Sequence, residues 1–136
     1  MSEFSSEGII APKSAGVITL EWLKEFARVA GDPNPIHQDV TVAKAMGLPG
    51  VIAHGMLISG LLHSRAIEVI SDFRNLREFR IGASQSRFKA MTFLGDEITI
   101  SGQWSVVGSN EIKLELQAQD QKKETKVISV FTLIRS

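Results

Sequence analysis

The chain contains no cysteine. That absence removes disulfides, thiolate nucleophiles and cysteine-based metal sites, and it leaves the redox compartment open. An excess of charge is missing too: 15 Lys+Arg balance 15 Asp+Glu, for a formal net charge of zero. A neutral chain carries no general electrostatic footprint for nucleic acid or for an acidic membrane surface, so neither partner is expected. The longest apolar stretch, Val51 to Leu62, is interrupted by His54 and is too short to span a bilayer. The opening MSEFSSEG lacks a basic region followed by an apolar one, so no secretion signal is expected there. Internal repeats and low-complexity tracts are absent. The expectation is a soluble cytoplasmic protein.

What is present suits one compact unit. The 136 residues are 43% hydrophobic and 22% charged, enough for a core in a single domain spanning 1–136. The first half reads as helical. Ile9, Ile10, Val17 and Ile18 fit a short strand, after which Thr19 is an N-cap candidate. Leu20, Leu23, Phe26, Ala27 and Ala30 follow at helical spacing, and Gly31 is a C-terminal stop. Asp32 and Asn34 each precede a proline, which pushes both toward extended backbone. Asp39 to Met46 predicts one or two helical turns before Gly47, Pro49 and Gly50. From about His54 to Ile70 the pattern is helical again. Its first half is apolar nearly all round, predicting a helix enclosed by other structure.

The second half alternates. Ile98, Ile100, Trp104 and Val106 share one parity, Ile112, Leu114, Leu116 and Ala118 repeat it, and Gly108-Ser109-Asn110 supplies the turn. Phe79, Ile81 and Ala83 make an earlier strand whose apolar phase shifts by Phe88 and Ala90, as a bulge causes. Val127 to Ile134 is apolar on both parities, predicting a strand that is central or set against a partner subunit. An antiparallel sheet of about five strands therefore has one long helix to cover. Trp22 and Trp104 read as core or interface residues.

The polar residues of Asp32-Pro33-Asn34-Pro35-Ile36-His37 suggest chemistry. A carboxylate and an imidazole sit five residues apart on a segment that two prolines stiffen, which lowers the entropic cost of holding them together. Such a pair can deprotonate a water as it attacks. Further on, Ala53-His54-Gly55-Met56 opens the apolar helix, and Gly55 leaves its N–H unobstructed for a substrate oxygen that gathers charge. Taken alone, Asp32 reads as a turn former and His37 as a surface residue. Their joint occurrence with Asn34 and His54-Gly55-Met56 favours function.

Gly31-Asp32-Pro33-Asn34-Pro35-Ile36-His37, followed by Ile52-Ala53-His54-Gly55-Met56-Leu57, resembles the MaoC-like family of (R)-specific enoyl-CoA hydratases and (3R)-hydroxyacyl thioester dehydratases. Ser86-Arg87-Phe88-Lys89 to Phe93-Leu94-Gly95-Asp96 is similar to that family's strand and turn. The resemblance covers nearly the whole chain. It implies an α+β hot-dog fold, in which the sheet wraps around one long central helix. It further implies a hydro-lyase acting on acyl-CoA or acyl-carrier-protein thioesters in fatty acid metabolism, without metal or organic cofactor, and usually a homodimer. By the same resemblance Asp32 and His37 are the catalytic pair, the Gly55 N–H is the oxyanion donor, and Asn34 orders the catalytic loop. The division of the proton between Asp32 and His37 stays open.

Other residues carry weaker expectations. His54 is expected to close the helix N-terminus by hydrogen bonding, without a catalytic role. His37, His54 and His63 lack compact chelating spacing, so no metal is expected. Arg74, Arg77 and Arg80 form either a solvated basic face or a dock for phosphates or an acidic carrier protein. Relatives carry a small or hydroxyl residue where this chain has His63. Together with Ser59, that residue is assigned to the acyl pocket, with Ser64 as the substitute if the helix register shifts. Two rival functions remain: a hot-dog acyl thioesterase, and a non-catalytic substrate-binding subunit of a dehydratase complex. The first lacks the Asp-x-Asn-Pro-x-His arrangement, and the second need not retain Asp32 and His37.

Overall fold

A computed structural model describes residues 6–135. Residues 1–5 and 136, to which the single-domain and no-signal expectations also extend, lie outside the described residues. The order of elements is β1 (Glu7–Val17), α1 (Leu20–Ala30), α2 (Val40–Ala45), α3 (Gly55–Asp72), β2 (Phe79–Phe88), β3 (Glu97–Gly108), β4 (Glu111–Gln119) and β5 (Thr125–Arg135). The five strands form one antiparallel sheet in the order β1-β3-β4-β5-β2. β5 is an internal strand, paired on both sides, which explains its apolar character. β3 and β4 join through Ser109 and Asn110, with Gly108 opposite Glu111. The bulge expected near Phe88 lies earlier, between Ile81 and Ala83, and β2 runs unbroken to Phe88.

The 18-residue helix α3 crosses this sheet, spanning roughly 27 Å at ~1.5 Å per residue. Leu57, Ile58, Leu62, Ala66 and Val69 are buried in one core with Leu114, Leu116, Phe131 and Leu133 of the sheet. Each large apolar side chain so buried contributes about 1.5–3 kcal/mol. The expectation of a helix enclosed all round needs correction. Met56 and Ile67 are 67% and 55% exposed, because the one sheet covers only the face of α3 turned toward it. No helix among the described residues is long and apolar enough to cross a membrane.

Local signals place the segment that follows α1. The Thr19 side chain accepts from the Trp22 N–H and starts the helix. Gly31 ends it in the left-handed region at φ 70°, which a glycine adopts without the usual steric cost. The Asp32 N–H then donates back to the Ala27 carbonyl at 3.0 Å, so the chain leaves α1 in a fixed direction.

Candidate active site

The segment after α1 is held by its own side chains. The Asp32 carboxylate accepts from the Asn34 N–H at 3.4 Å. The Asn34 side-chain oxygen accepts from the Ile36 N–H at 3.2 Å and caps a 3-10 turn over Pro35–His37. Pro35 suits the first position of that turn, where no N–H is needed. The turn aims the His37 ring at the strand-like segment before α3, and its Nδ1 lies 2.8 Å from the Ile52 carbonyl. A carbonyl can only accept, so Nδ1 carries the hydrogen and Nε2 of the neutral ring keeps its lone pair.

His54 is placed differently from expectation. It makes no side-chain cap on α3. Its Nε2–H instead donates to the Asp32 carbonyl at 3.2 Å, because the ring folds back over the loop rather than over the helix start. The ring is 2% exposed, stacks on His37 with centroids 3.8 Å apart, and meets Phe26 at 4.9 Å. Burial, aided by the neighbouring His37, holds its pKa below the usual histidine value against the opposing pull of Asp32. His54 is therefore a neutral residue that ties the Asp32 backbone to the His37 ring.

Asp32, His37 and His54 bring one ligand-type atom each within 4.8 Å of one another, whereas His63 is remote from them. His54 Nε2–H is committed to the Asp32 carbonyl, which leaves the Asp32 carboxylate and His37 Nε2 as the other polar atoms of the cluster.

His37 and Gly55 open onto the same cavity of about 530 Å³, with Ile58 and Val127 among its apolar lining and Phe88 to Thr92 along one side. Gly55 begins α3, so its N–H has no partner within the helix. A Cβ there would lie 3.0 Å from the Phe88 ring, so any larger residue would press on that side chain and crowd the N–H. Asp32 does not line the cavity, and its side chain is 51% exposed beside the two histidines. The remaining sequence candidates lie apart. Ser59 joins a hydroxyl chain to Ser86 at 3.2 Å and on to Ser129 at 2.7 Å. His63 contacts Phe131 edge-on and lines a second hollow of about 330 Å³ with Ile67, Ile70, Phe79, Arg80 and Ile81. Arg77 donates to the Ser71 carbonyl, and Arg80 lines the hollow beside His63. Ser64 borders a third hollow beside Lys13 and Glu68.

The MaoC like domain family matches residues 13–129, a span that includes Asp32, His37, His54 and Gly55. The chain belongs to the MaoC-like family. This is a family of hydratases and dehydratases. A fatty acid synthase beta subunit, TOXC of Cochliobolus carbonum, is 29% identical over 105 residues; these cover 76% of this chain but only 5% of that much longer protein. A UPF0336 protein of Streptomyces avermitilis is 26% identical over 121 residues, covering 84% of this chain and 81% of its own length. The solved (R)-hydratase of A. caviae involved in PHA biosynthesis superposes with a TM-score of 0.79 over all of both chains, at 20% identity. That likeness establishes the hot-dog fold of this MaoC-like chain.

The sequence did not point to the cavity wall as a site feature. Phe88 to Thr92 approach Gly55 only because β2 and α3 meet in space, and no local pattern announces such contact.

Proposed function

We propose that this MaoC-like chain hydrates trans-2-enoyl thioesters to (R)-3-hydroxyacyl thioesters, or runs the reverse dehydration. The observation that carries the reading is the placement of a histidine with an open Nε2 and a free helix N-terminus on one cavity, with Asp32 beside that histidine. Asp32 and His37 hold one water between them. The water oxygen bonds to C3 of the substrate, and the electron pair of the double bond shifts toward the thioester oxygen. The Gly55 N–H donates to that oxygen as charge gathers. A proton returned from the same side to C2 completes a syn addition, so that the water ends as hydroxyl and hydrogen on adjacent carbons. Asn34 acts through the loop it caps rather than on the substrate. The chain so read is one domain over 1–136, working as a homodimer on acyl-CoA or acyl-carrier-protein thioesters in the cytoplasm.

Gly55, Ser59 and His63 follow one another at intervals of four residues and share a face of α3. That row leads from the cavity toward the hollow beside His63, and supports assigning Ser59 and His63 to the acyl end.

Crotonyl-CoA tests the reaction. Wild-type protein is expected to remove the conjugated enoyl thioester absorbance, and Asp32→Asn or His37→Ala to lose at least about 10²-fold in rate. Release of free thiol with that absorbance unchanged supports a thioesterase. A folded protein that does neither with CoA or acyl-carrier substrates supports a non-catalytic subunit.

A further inference from the structure

Lys126 is 2% exposed, although lysine is almost never fully buried without partners. Its ammonium meets three carboxylates: Glu124 at 2.6 Å, Asp120 at 3.4 Å and Asp96 at 4.0 Å. Two of these are themselves fixed by backbone. Asp120 accepts from the N–H groups of Lys122 and Glu124, both at 2.9 Å, and Asp96 accepts from the Phe93 N–H at 2.8 Å. Burial alone would lower the Lys126 pKa, yet the surrounding carboxylates hold it above the usual lysine value, so the group is charged. The ammonium is thus a positioned donor, and it spends one hydrogen on the Met91 carbonyl at 2.9 Å.

That bond lies at one end of a continuous chain of contacts. The Lys126 carbonyl accepts from Lys89 and Ala90, so one residue grips the cavity wall through both its backbone and its side chain. Beyond Met91, the Thr92 carbonyl accepts from the Ala53 N–H at 2.8 Å, the Val51 carbonyl accepts from Leu94 at 3.1 Å, and Ile52 bridges Phe93. In the middle of that short ladder, the Ile52 carbonyl receives the hydrogen of His37 Nδ1.

We infer that Lys126 is a positioning residue for His37: by fixing Met91 it holds the Met91–Leu94 and Val51–Ala53 segments in register, and through the Ile52 carbonyl it keeps His37 in the Nδ1–H tautomer with Nε2 open to the cavity. Three carboxylates around one cation exceed what neutralising it requires. They fit a device that fixes the ammonium in place. The kinetic part of this inference rests on the proposed role of His37; the structural part does not.

Lys126→Met and Lys126→Arg test it in the full chain, with nitrogen NMR of the His37 ring and steady-state kinetics on crotonyl-CoA. Lys126→Met is expected to shift His37 toward the Nε2–H tautomer that neutral imidazole favours in water, and to lower kcat about tenfold with KM within about twofold. Lys126→Arg, which keeps a charged donor, is expected to restore both. An unchanged His37 tautomer in folded Lys126→Met overturns the inference, as does a rate that falls only with the folded fraction. If Lys126→Met does not fold, combining it with Asp96→Asn, Asp120→Asn and Glu124→Gln removes the stranded negative charge. A combination that still does not fold shows Lys126 to be a fold-holding residue only, and likewise overturns the inference. Should wild-type protein hydrate nothing, the proposed function fails while the tautomer comparison still decides the role of Lys126.

Discussion

The imidazole of His54 stacks on that of His37 at 3.8 Å, and its Nε2–H holds the backbone carbonyl of Asp32. One buried neutral ring thereby fixes the relative position of the two groups proposed to activate water. Replacing His54 by Phe keeps a flat ring against His37 but removes the bond to Asp32. We expect a kcat reduced about 10- to 100-fold with a nearly intact fold, because small misplacement at a reacting pair is costly. Steady-state kinetics with circular dichroism checks this, and a His54→Phe variant as fast as wild type refutes the positioning role.

The same burial predicts a pH dependence of stability. His54 has a folded-state pKa below the usual 6.5, chiefly through desolvation. Above that usual value neither state binds the proton, and the residue contributes no slope. As pH falls below it, the unfolded chain takes up a proton that the folded chain refuses, and stability drops until the lower folded-state value is passed. Denaturant unfolding at successive pH values from about 7 to 5 should show this loss, and His54→Phe should flatten it. An identical slope in the variant would mean that His54 is not the group responsible.

Gly55→Ala tests the helix N-terminus. The added Cβ meets the Phe88 ring at 3.0 Å and narrows the approach to the N–H. The expected loss in kcat is about 10²-fold, the scale of an impaired oxyanion donor. Phe88 is 56% exposed and free to shift, so the fold should survive, as a thermal melt can show. Adding Phe88→Ala relieves the contact without clearing the N–H. Full recovery of activity in the double variant would trace the defect to Phe88 instead.

His63→Ser is expected to extend activity toward longer acyl chains by enlarging the hollow shared with Ile67, Ile70 and Phe79. Relative kcat/KM across a series of enoyl chain lengths provides the readout. An unchanged preference removes His63 from the acyl pocket.

Features carried within a few neighbouring residues were legible in the sequence. Thr19 and Gly31 bound α1, Asp39 starts α2, and Ser109-Asn110 turns β3 into β4, each through local backbone chemistry. Asp32 and His37 were legible for the same reason, being five residues apart. Contacts between distant segments were not. The bond from His37 to the Ile52 carbonyl spans 15 residues, that from His54 to the Asp32 carbonyl spans 22, and Lys126 reaches back 35 to Met91. His54 looked like a helix cap because it precedes α3, but its ring donates to the Asp32 carbonyl in the loop instead of accepting from the helix start. The apolar surround of α3 suggested full enclosure, whereas this chain's own sheet covers one side and leaves Met56 and Ile67 exposed.

In the proposed reaction a water molecule is added across the enoyl double bond. Incubating the protein with crotonyl-CoA in water labelled with heavy oxygen, followed by mass spectrometry and chiral analysis, tests it most directly. Intact 3-hydroxybutyryl-CoA of (R) configuration bearing one labelled oxygen at C3 is expected, with the signal lost in Asp32→Asn and His37→Ala. Label in the carboxylate of a released free acid, with no labelled hydroxyl at C3, would contradict it.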